Sequence, residues 1–427
     1  MATPFWYNAL LSIVKPLYKW RIKKRALDLA RYQQECLERF GPFQPPKNKN
    51  TIWFHAVSVG ETNAAQPLIE HYLKLGHAVL VTNTTKTGQA RAKSLFLKAP
   101  FEALFQAVYL PADQKSLISA FFEKYQPRLL ILVETELWPN LLDQAQQFVV
   151  PSLLVNARLS EKSAAGYGKV PSLTKPMLQS LSQLLAQDIA TQQRFIDLGI
   201  SAQKTQVLGS IKFDIHAPEQ FIQQASQLKH DWNLSTRKII TIASTHAPEE
   251  QLLLSALKPY LAQHPEYLCI VVPRHPERFD DVFNLAQQLN LNTQRRSLNQ
   301  SIQLDTQVYL ADSMGELWLW YALSQACFVG GSLNEPGGGH NILEPMALHV
   351  PTVIGPNYFN FHAIVDEFLQ ADAVKVGQSA DEIVELLVRC IEDQAFAEDL
   401  SKHAIQVLDK NKGSLQKHIA VIDQYLK

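Results

Sequence analysis

Three glutamates and one lysine follow apolar segments that have the composition of buried strands. Glu61 comes after TIWFHAVSV in the first turn of a predicted helix, Glu134 and Glu136 come after RLLILV, and Lys212 comes after TQVLGS. A helix N-terminus favours the ionised carboxylate that a general base requires, and a lysine can stabilise an anionic substrate or leaving group. Each residue alone also fits a structural role, either as a complement to the helix dipole or as a charge on a solvated loop.

The second half of the chain has polar residues at corresponding positions, and their chemistry suits phosphate. The segment from Ser244 to His246 follows RKIITIA and precedes an acidic helix start, where hydroxyl groups can cap the helix or bind phosphate. Arg274 follows LCIVVP and can pair with a phosphate through two hydrogen bonds. The glycine-rich loop SLNEPGGGHN has neither the GxGxxG nor the Walker pattern, but its glycines allow a phosphate or sugar to approach the backbone. A loop that serves only the fold is the alternative.

The elements that position these residues alternate between short apolar segments and helical patterns. Continuous apolar segments are typical of strands buried on both faces of a parallel sheet. The alternation predicts two doubly wound α/β domains that divide near residues 214–236. Nearly all the special polar residues come just after a strand, at the carboxyl edge where open α/β sheets bind ligands. Two such edges that face each other form a cleft, as in GT-B glycosyltransferases, an architecture that the pattern allows but does not single out.

The composition excludes several classes of protein. The 427 residues are 46% hydrophobic and 19% charged, which excludes a disordered chain and a polytopic membrane protein. Forty basic residues balance forty acidic ones, so no global charge indicates a nucleic-acid binder. The four cysteines are scattered without a CxxC pair and are interpreted as buried, reduced thiols of a cytoplasmic protein. No metal-ligand spacing appears, so neither a metal nor another cofactor is expected.

The N-terminal segment, residues 1–25, combines an apolar, aromatic part with a basic part. PFWYNALLSIV is about half the ~20 residues that a spanning helix needs. Six cations and no anion lie between Lys15 and Arg25. Aromatic residues followed by cations are typical of a segment held at the cytoplasmic leaflet of a membrane. The alternative is a helix packed on the body with a solvated basic face, and whether a membrane segment spans or lies in the interface stays open.

Seven motifs occur in order along the chain: HAVSVGE, VETELWPN, NARLS followed by SAAGY, GSIKFD, PRHPERF, DSMGEL and GGHNILEP. Together they resemble the bacterial lipid A Kdo (3-deoxy-D-manno-octulosonic acid) transferases over nearly the whole length. The resemblance implies an inverting GT-B enzyme with two Rossmann-like, doubly wound domains that face each other across a cleft. It places an acceptor-binding domain at residues 26–220 and a CMP-Kdo-binding domain at residues 221–427, and it allows the last helix of the second domain to cross back to the first. Segment 1–25 would be a membrane-associated helix.

The resemblance also implies a reaction, partners and a location. Kdo would pass from CMP-Kdo to lipid IVA, the lipid A precursor, in lipopolysaccharide core biosynthesis. The enzyme would act at the cytoplasmic face of the cell inner membrane, in contact with anionic lipids and without nucleic acid, metal or cofactor. Two alternatives stay open. One is another GT-B enzyme that uses a nucleotide sugar, such as a UDP-sugar transferase or epimerase, and the other is a membrane-associated binding protein with a degenerate cleft.

The roles of individual residues follow from the resemblance motif by motif. Glu61 is implied as the general base, and Glu134 and Lys212 as the groups that stabilise the transition state. Contacts to CMP are implied for nine residues of the second domain: Pro273, Arg274, Met314, Gly315, Glu316, Asn341, Ile342, Leu343 and Glu344. The glycine-rich loop before Asn341 is slightly longer than the family pattern, so the loop could shift locally.

Overall fold

A computed structural model describes residues 3–427 as two compact units, so Met1 and Ala2 of the predicted segment 1–25 lie outside the described residues. The first unit runs to Asp214 and also includes Gly413–Lys427, and the second is Ile215–Lys412. The sequence-based division falls after residue 220 and assigns the last helix to the second domain with a possible return. In the structure, that C-terminal helix belongs to the first unit.

Each unit is built on a sheet of seven parallel strands. The strands are β1 (Ile52–His55), β2 (Val79–Asn83), β3 (Phe105–Tyr109), β4 (Leu129–Val133), β5 (Ser152–Ala157), β6 (Gln183–Ala186), β7 (Thr205–Val207), β8 (Lys238–Thr245), β9 (Tyr267–Pro273), β10 (Thr293–Arg295), β11 (Val308–Leu310), β12 (Ala326–Val329), β13 (Thr352–Ile354) and β14 (Lys375–Val376). Their orders are β3-β2-β1-β4-β5-β6-β7 and β10-β11-β9-β8-β12-β13-β14. The direction in which successive strands are added therefore reverses between β1 and β4 in the first sheet and between β8 and β12 in the second. Doubly wound sheets bind ligands at these switch points.

Helices connect most of these strands and cover both faces of each sheet. In chain order they are α1 (Phe5–Arg25), α2 (Leu29–Phe40), α3 (Val59–Lys74), α4 (Lys86–Phe96), α5 (Lys115–Tyr125), α6 (Pro139–Gln147), α7 (Glu161–Gly168), α8 (Pro171–Ser180), α9 (Ile189–Asp197), α10 (Glu219–Asp231), α11 (Glu249–Gln263), α12 (Phe279–Gln288), α13 (Leu317–Leu323), α14 (Leu343–Ala347), α15 (His362–Gln370), α16 (Ala380–Glu392), α17 (Gln394–Asn411) and α18 (Ser414–Ile422). The strand β4, with the sequence LLILV, shows why its apolar pattern is continuous. Ile131 packs into the core on one face of the sheet, whereas Leu130 and Leu132 pack into the core on the other.

The N-terminal helix α1 is attached to the first unit at both ends. Near its start, Tyr7 donates a hydrogen bond of 2.8 Å to the buried Asp113, and Asn8 accepts one of 3.0 Å from Asn140 at the start of α6. At its end, Arg25 forms an ion pair with the buried Glu35. The helix is therefore part of the body, as the packed-helix alternative expects.

The outer side of α1 is nevertheless apolar and exposed. Phe5 is 87% exposed, Ile13 76% and Leu17 62%. Among residues 3–427, the structure contains no helix with both the length and the hydrophobicity needed to cross a bilayer.

Hydrogen bonds and ion pairs connect the C-terminal end of α1 to the loop after β1. Glu35 also pairs with the buried Arg39 at 2.9 Å, and Arg39 donates to the carbonyl oxygen of Thr84 at 2.6 Å. The next residue, Thr85, donates from its hydroxyl to the carbonyl oxygen of Val57 at 2.9 Å. A continuous path of polar contacts therefore joins α1 to the segment that precedes Glu61.

Candidate functional site

Glu61 is held at the start of α3 by a capping arrangement. Ser58 is the N-cap residue, and its hydroxyl oxygen accepts the backbone N–H of Glu61 at 3.4 Å. The Glu61 carboxylate in turn accepts the N–H of Val57 at 2.5 Å and the hydroxyl of Ser58 at 3.1 Å. This reciprocal pattern is a capping box displaced by one residue. The structural role weighed from the sequence is thus real, and it also fixes the carboxylate at the carboxyl edge of β1.

The environment of Glu61 gives its carboxyl group an unusual proton affinity. Burial, and after it the negative charge of Glu136, raises the pKa of Glu61 to about 7, although the Val57 hydrogen bond acts in the opposite direction. A general base is most effective when its pKa lies close to the working pH. The geometry and the pKa therefore suit proton abstraction near neutrality.

Glu134 and Lys212 meet in an ion pair, although they follow β4 and β7, which are separated by two strands of the sheet. The Nζ atom of Lys212 lies 2.6 Å from Oε1 of Glu134, and the two side chains are 26% and 13% exposed. Glu134 follows β4 directly and has a φ of 63°, in the left-handed region that glutamate rarely adopts. Such backbone strain clusters at functional sites. The pair places a fixed cation next to the carboxyl end of β4.

Glu136 and His55 also lie close together in the first unit. Oε2 of Glu136 accepts the indole N–H of Trp138 at 3.0 Å and lies 3.8 Å from Nε2 of the fully buried His55. The Nδ1 atom of His55 lies 3.0 Å from the carbonyl oxygen of Thr82. Sequence reasoning did not foresee their proximity.

The predicted CMP contacts lie at the carboxyl edge of the second sheet. Pro273 ends β9, Met314–Glu316 follow β11, and Asn341–Glu344 follow the glycine-rich loop after β12. Ile342 and Leu343 are each 1% exposed as whole residues, so both pack in the core.

Glu316 and Arg274 differ in how their charged groups are engaged. The Glu316 carboxylate accepts two hydrogen bonds from Arg296, at 2.7 and 3.1 Å, and one from the hydroxyl of Ser313. Its oxygens therefore hold the loop. The exposed Arg274 donates its backbone N–H to the carbonyl oxygen of Thr245 at 3.0 Å. Within residues 3–427, no hydrogen bond or ion pair engages its guanidinium group.

Two histidines stack beside the glycine-rich loop. The Nε2 atoms of His246 and His340 are 2.8 Å apart, and their rings are inclined by 10°. Burial and the nearby Arg274 charge lower the pKa of His340 to about 3, so its ring is neutral at physiological pH. Gly331 has a φ of 68°, and a Cβ atom there would lie 2.8 Å from the His340 ring. Only glycine fits this position.

Glu249 is the residue that sequence reasoning missed in this half. It is fully buried at the start of α11, and its two oxygens accept four backbone N–H groups, those of His246, Gly331, Ser332 and Leu333, at 2.8–3.0 Å. This carboxylate fixes the start of the glycine-rich loop against the end of β8. The available signal was the acidic helix start after His246, which was interpreted only as part of a cap.

No metal centre emerges from the side chains. Among residues 3–427, no three histidine, cysteine or acidic side chains group together in a way that could hold an ion.

Comparison with known proteins decides the family. The 3-deoxy-D-manno-octulosonic-acid transferase (kdotransferase) family matches residues 34–215, and glycosyl transferases group 1 match residues 226–407. The chain is 36% identical to the 3-deoxy-D-manno-octulosonic acid transferase of Haemophilus influenzae over 433 aligned positions, which cover 99% of both proteins. The chain belongs to the Kdo transferase family. The resemblance drawn from the seven motifs is thus confirmed, and the chain is a glycosyltransferase.

Other relatives agree with this family and with its fold. The Kdo transferase of Bordetella pertussis is 32% identical, with 96% of each protein covered. HepE from Anabaena, solved with UDP, covers 88% of this chain at 13% identity with a TM-score of 0.56, and a glycosyltransferase from Rickettsia africae covers 89% at 14% identity with the same TM-score. These likenesses confirm the predicted GT-B class of two Rossmann-like, parallel-sheet domains. The C-terminal CMP-Kdo binding domain of WaaA from Acinetobacter baumannii is 62% identical over 45% of this chain and 99% of that domain, with a TM-score of 0.45.

Proposed function

We propose that this Kdo transferase family member moves Kdo from CMP-Kdo to lipid IVA, with Glu61 as the general base. The observation that carries the proposal is the fixed Glu61 carboxylate, whose pKa of about 7 suits proton transfer and whose neighbours are the Glu134–Lys212 ion pair. The first unit would supply the base, and the second unit would bind the nucleotide at its carboxyl edge.

The proposed reaction is a single displacement with inversion. Glu61 takes the proton of an acceptor hydroxyl as its oxygen bonds to the anomeric carbon of Kdo, and the bond from that carbon to the CMP phosphate oxygen breaks. CMP leaves with the electron pair of the broken bond. Lys212, held by Glu134, offsets the negative charge of the Kdo carboxylate or the phosphate. Arg274 pairs with the CMP phosphate, and Glu344 accepts hydrogen bonds from the ribose hydroxyls.

The decisive experiment is a turnover assay with labelled CMP-Kdo and lipid IVA. Transfer of label, and its inhibition by CMP but not by UDP, would support the proposal. Inhibition by UDP alone would favour the alternative of a UDP-sugar enzyme. Binding of CMP-Kdo without turnover would favour a binding protein.

Arg274→Ala should weaken donor binding. The unpaired guanidinium group lies at the carboxyl edge of β9, and losing a charged hydrogen bond to phosphate costs about 1.5–3 kcal/mol. We therefore expect the KM for CMP-Kdo to rise by about 10- to 100-fold, with little change in the KM for lipid IVA. Lys402→Ala, at an exposed position of the same unit, is the control. An unchanged donor KM and kcat for Arg274→Ala would remove this residue from the site.

Transfer should continue in the presence of EDTA. The groups proposed to meet the donor charge are Arg274 and Lys212, which need no ion. The measurement is the initial rate after dialysis against EDTA, with and without added Mg²⁺. Complete loss of activity that Mg²⁺ restores would contradict this expectation.

We propose further that α1 lies at the cytoplasmic face of the inner membrane. Supporting this, exposed apolar residues extend along the helix, and the cations Arg21, Lys23 and Lys24 are exposed at its end. Arg25 differs from them because it pairs with the buried Glu35. Each cation near an anionic leaflet contributes about 1 kcal/mol.

Replacing Arg21, Lys23 and Lys24 with glutamine should therefore weaken binding to anionic vesicles and make the remaining binding less dependent on salt. Co-sedimentation with anionic and neutral vesicles across a salt series measures both effects. The matched control replaces Lys402, Lys410 and Lys417, which are exposed on α17 and α18. Equal loss in both triple variants, or in neither, would rule out attachment through α1.

A further inference from the structure

The side chains of Glu134 and Lys212 meet although two strands lie between their positions in the sheet. Glu134 follows β4 and Lys212 follows β7, with β5 and β6 between them. Neighbouring strands are about 4.8 Å apart, so β4 and β7 are separated by about 14 Å. The Nζ and Oε1 atoms are nevertheless 2.6 Å apart. The segment that carries Lys212 therefore turns back over the sheet edge towards β4.

The end of β5 receives the backbones of both segments. The carbonyl oxygen of Val155 accepts the backbone N–H of Glu134 at 3.0 Å. On the next residue, Oδ1 of Asn156 accepts the backbone N–H of Ile211 at 3.1 Å. Ile211 directly precedes Lys212 in the chain. Two consecutive residues of β5 therefore fix the backbones that carry the two charges of the ion pair.

Asn156 is the first residue of NARLS, a motif to which the proposed reaction assigns no role. It is fully buried and has a φ of 51°, in the left-handed region that asparagine adopts more readily than most residues. The pairing of β5 with β6 is irregular at this point, between Leu154 and Ala157. Such an interruption of a strand can redirect a side chain. Here the Asn156 side chain is directed at the turn that carries Lys212.

A histidine of the C-terminal helix holds Asn156 in turn. Nε2 of His418 accepts the backbone N–H of Asn156 at 3.2 Å, and Nδ1 lies 2.8 Å from the carbonyl oxygen of Ser414. A backbone N–H can only donate and a carbonyl oxygen can only accept, so the hydrogen of the neutral ring is on Nδ1. Burial lowers the pKa of His418 to about 4, which leaves Nε2 able to accept near neutral pH.

The same helix also fastens the chain on the other side of Lys212. The carboxylate of Asp214 accepts the backbone N–H groups of Gly413 and Leu415 at the start of α18. The chain is thus tied to α18 after Lys212 through Asp214 and before it through Asn156. All of these contacts lie within the first unit.

We propose that Asn156 and His418 are positioning residues that hold Lys212 against Glu134. Both are fully buried, so they act through the lysine and not on a substrate. Without them, the turn after β7 would have fewer contacts to keep its cation at the carboxyl end of β4. The inference rests on the proposed function insofar as Lys212 stabilises the charge that develops during transfer.

Asn156→Gly tests the contact to Ile211, because glycine accepts the left-handed conformation and keeps the N–H that His418 accepts. Only the side-chain amide is lost. The buried side chains of Ile211 and Phe213 should still fasten the segment, so the unit should fold. We expect kcat to fall by about 10- to 100-fold, since a small misplacement of a catalytic group has an effect of this order.

Asn50→Gly is the matched control for this change. Asn50 also lies in the first unit and has a φ of 53°, but it is exposed. The same replacement there should leave kcat unaltered. Thermal unfolding of each variant identifies a failure to fold. A normal kcat for a folded Asn156→Gly would overturn the proposal.

A double-mutant cycle separates positioning from a general loss of structure. Lys212→Met leaves no charge to position, so adding Asn156→Gly should lower kcat by no more than about twofold further. Effects of the two changes that multiply in the double variant would contradict the proposal. If Lys212→Met alone keeps the full rate, the role given to Lys212 in the proposed function fails, and the exchange measurement below decides the positioning by itself.

Hydrogen exchange follows the same contacts without reference to activity. The amide of Ile211 should exchange faster in Asn156→Gly, and the amides of Asn156 and Ile211 should both exchange faster in His418→Leu. His418→Gln keeps an acceptor near the place of Nε2 and should retain more protection and a higher kcat than the leucine variant. If His418→Leu does not fold, Asn156→Gly and His418→Gln carry the test. Unchanged exchange of Ile211 in Asn156→Gly would refute the proposal even if activity fell.

Discussion

Glu61→Gln should reduce the rate of Kdo transfer by about 10²–10⁴-fold while leaving the affinity for CMP unchanged. The amide has the size of the carboxyl group and retains an oxygen that can accept the Val57 N–H, so α3 should keep its capped start. It cannot take up the proton of the acceptor hydroxyl. The measurement pairs the turnover number on lipid IVA with CMP binding by calorimetry.

The pH profile of the unmodified enzyme gives an independent check on this assignment. A base acts when it is ionised, and burial together with the charge of Glu136 raises the pKa of Glu61 to about 7. The value of kcat/KM should therefore be low at pH 5 and rise through pH 7. In Glu61→Gln the residual rate should lose this limb, whereas the control Glu70→Gln, a change on the same helix α3, should keep both the rate and the limb. Near-normal turnover by Glu61→Gln would show that another group is the base.

Glu249→Ala should destabilise the second unit and abolish tight donor binding. The buried carboxylate accepts four backbone N–H groups, two on each oxygen, and three of them belong to Gly331, Ser332 and Leu333. A buried donor left without a partner costs about 1–3 kcal/mol. Some of the four groups can reach water after the loop rearranges, so we expect a loss of at least about 3 kcal/mol.

Urea unfolding measures the loss of stability, and hydrogen exchange over residues 330–340 reports whether the loop itself has opened. The stability of Glu249→Gln should lie between that of the unmodified protein and that of Glu249→Ala, because one oxygen is kept and the new NH₂ group faces two N–H donors. Glu385→Ala, at an exposed position of α16, is the control. Unchanged hydrogen exchange in the loop and an unchanged CMP affinity for Glu249→Ala would show that the loop keeps its conformation without Glu249.

The fold class could be predicted from the sequence because it follows from local patterns of apolar residues. A strand such as Leu129–Val133 is apolar on every residue only when both faces of its sheet are covered, and that condition gives a parallel sheet. The location of Glu134 and Lys212 at the carboxyl edge of the sheet was also accessible, since both follow strands, whereas their ion pair across two intervening strands was not. The catalytic roles of these residues and of Glu61 stay predictions.

Features that depend on contacts between distant parts of the chain could not be predicted from the sequence. Glu249 receives N–H groups from a loop about 80 positions later, and no local pattern indicates that pairing. The same holds for the engagement of Glu316 by Arg296 and for the proximity of His55 to Glu136. For Ile342 and Leu343, a motif match cannot distinguish a residue packed in the core from one that a ligand can reach.

The attachment of α1 at both ends has a consequence for protein engineering. Its first turns are tied to Asn140, just after the segment that carries Glu134 and Glu136, and its end is tied through Arg39 and Thr84 to the segment that precedes Glu61. A foreign helix grafted in its place would leave Asp113 without Tyr7 and Glu35 without Arg25. The helix is therefore not an interchangeable module, and a chimera must transplant its inward-facing polar residues even when every outward-facing one is replaced.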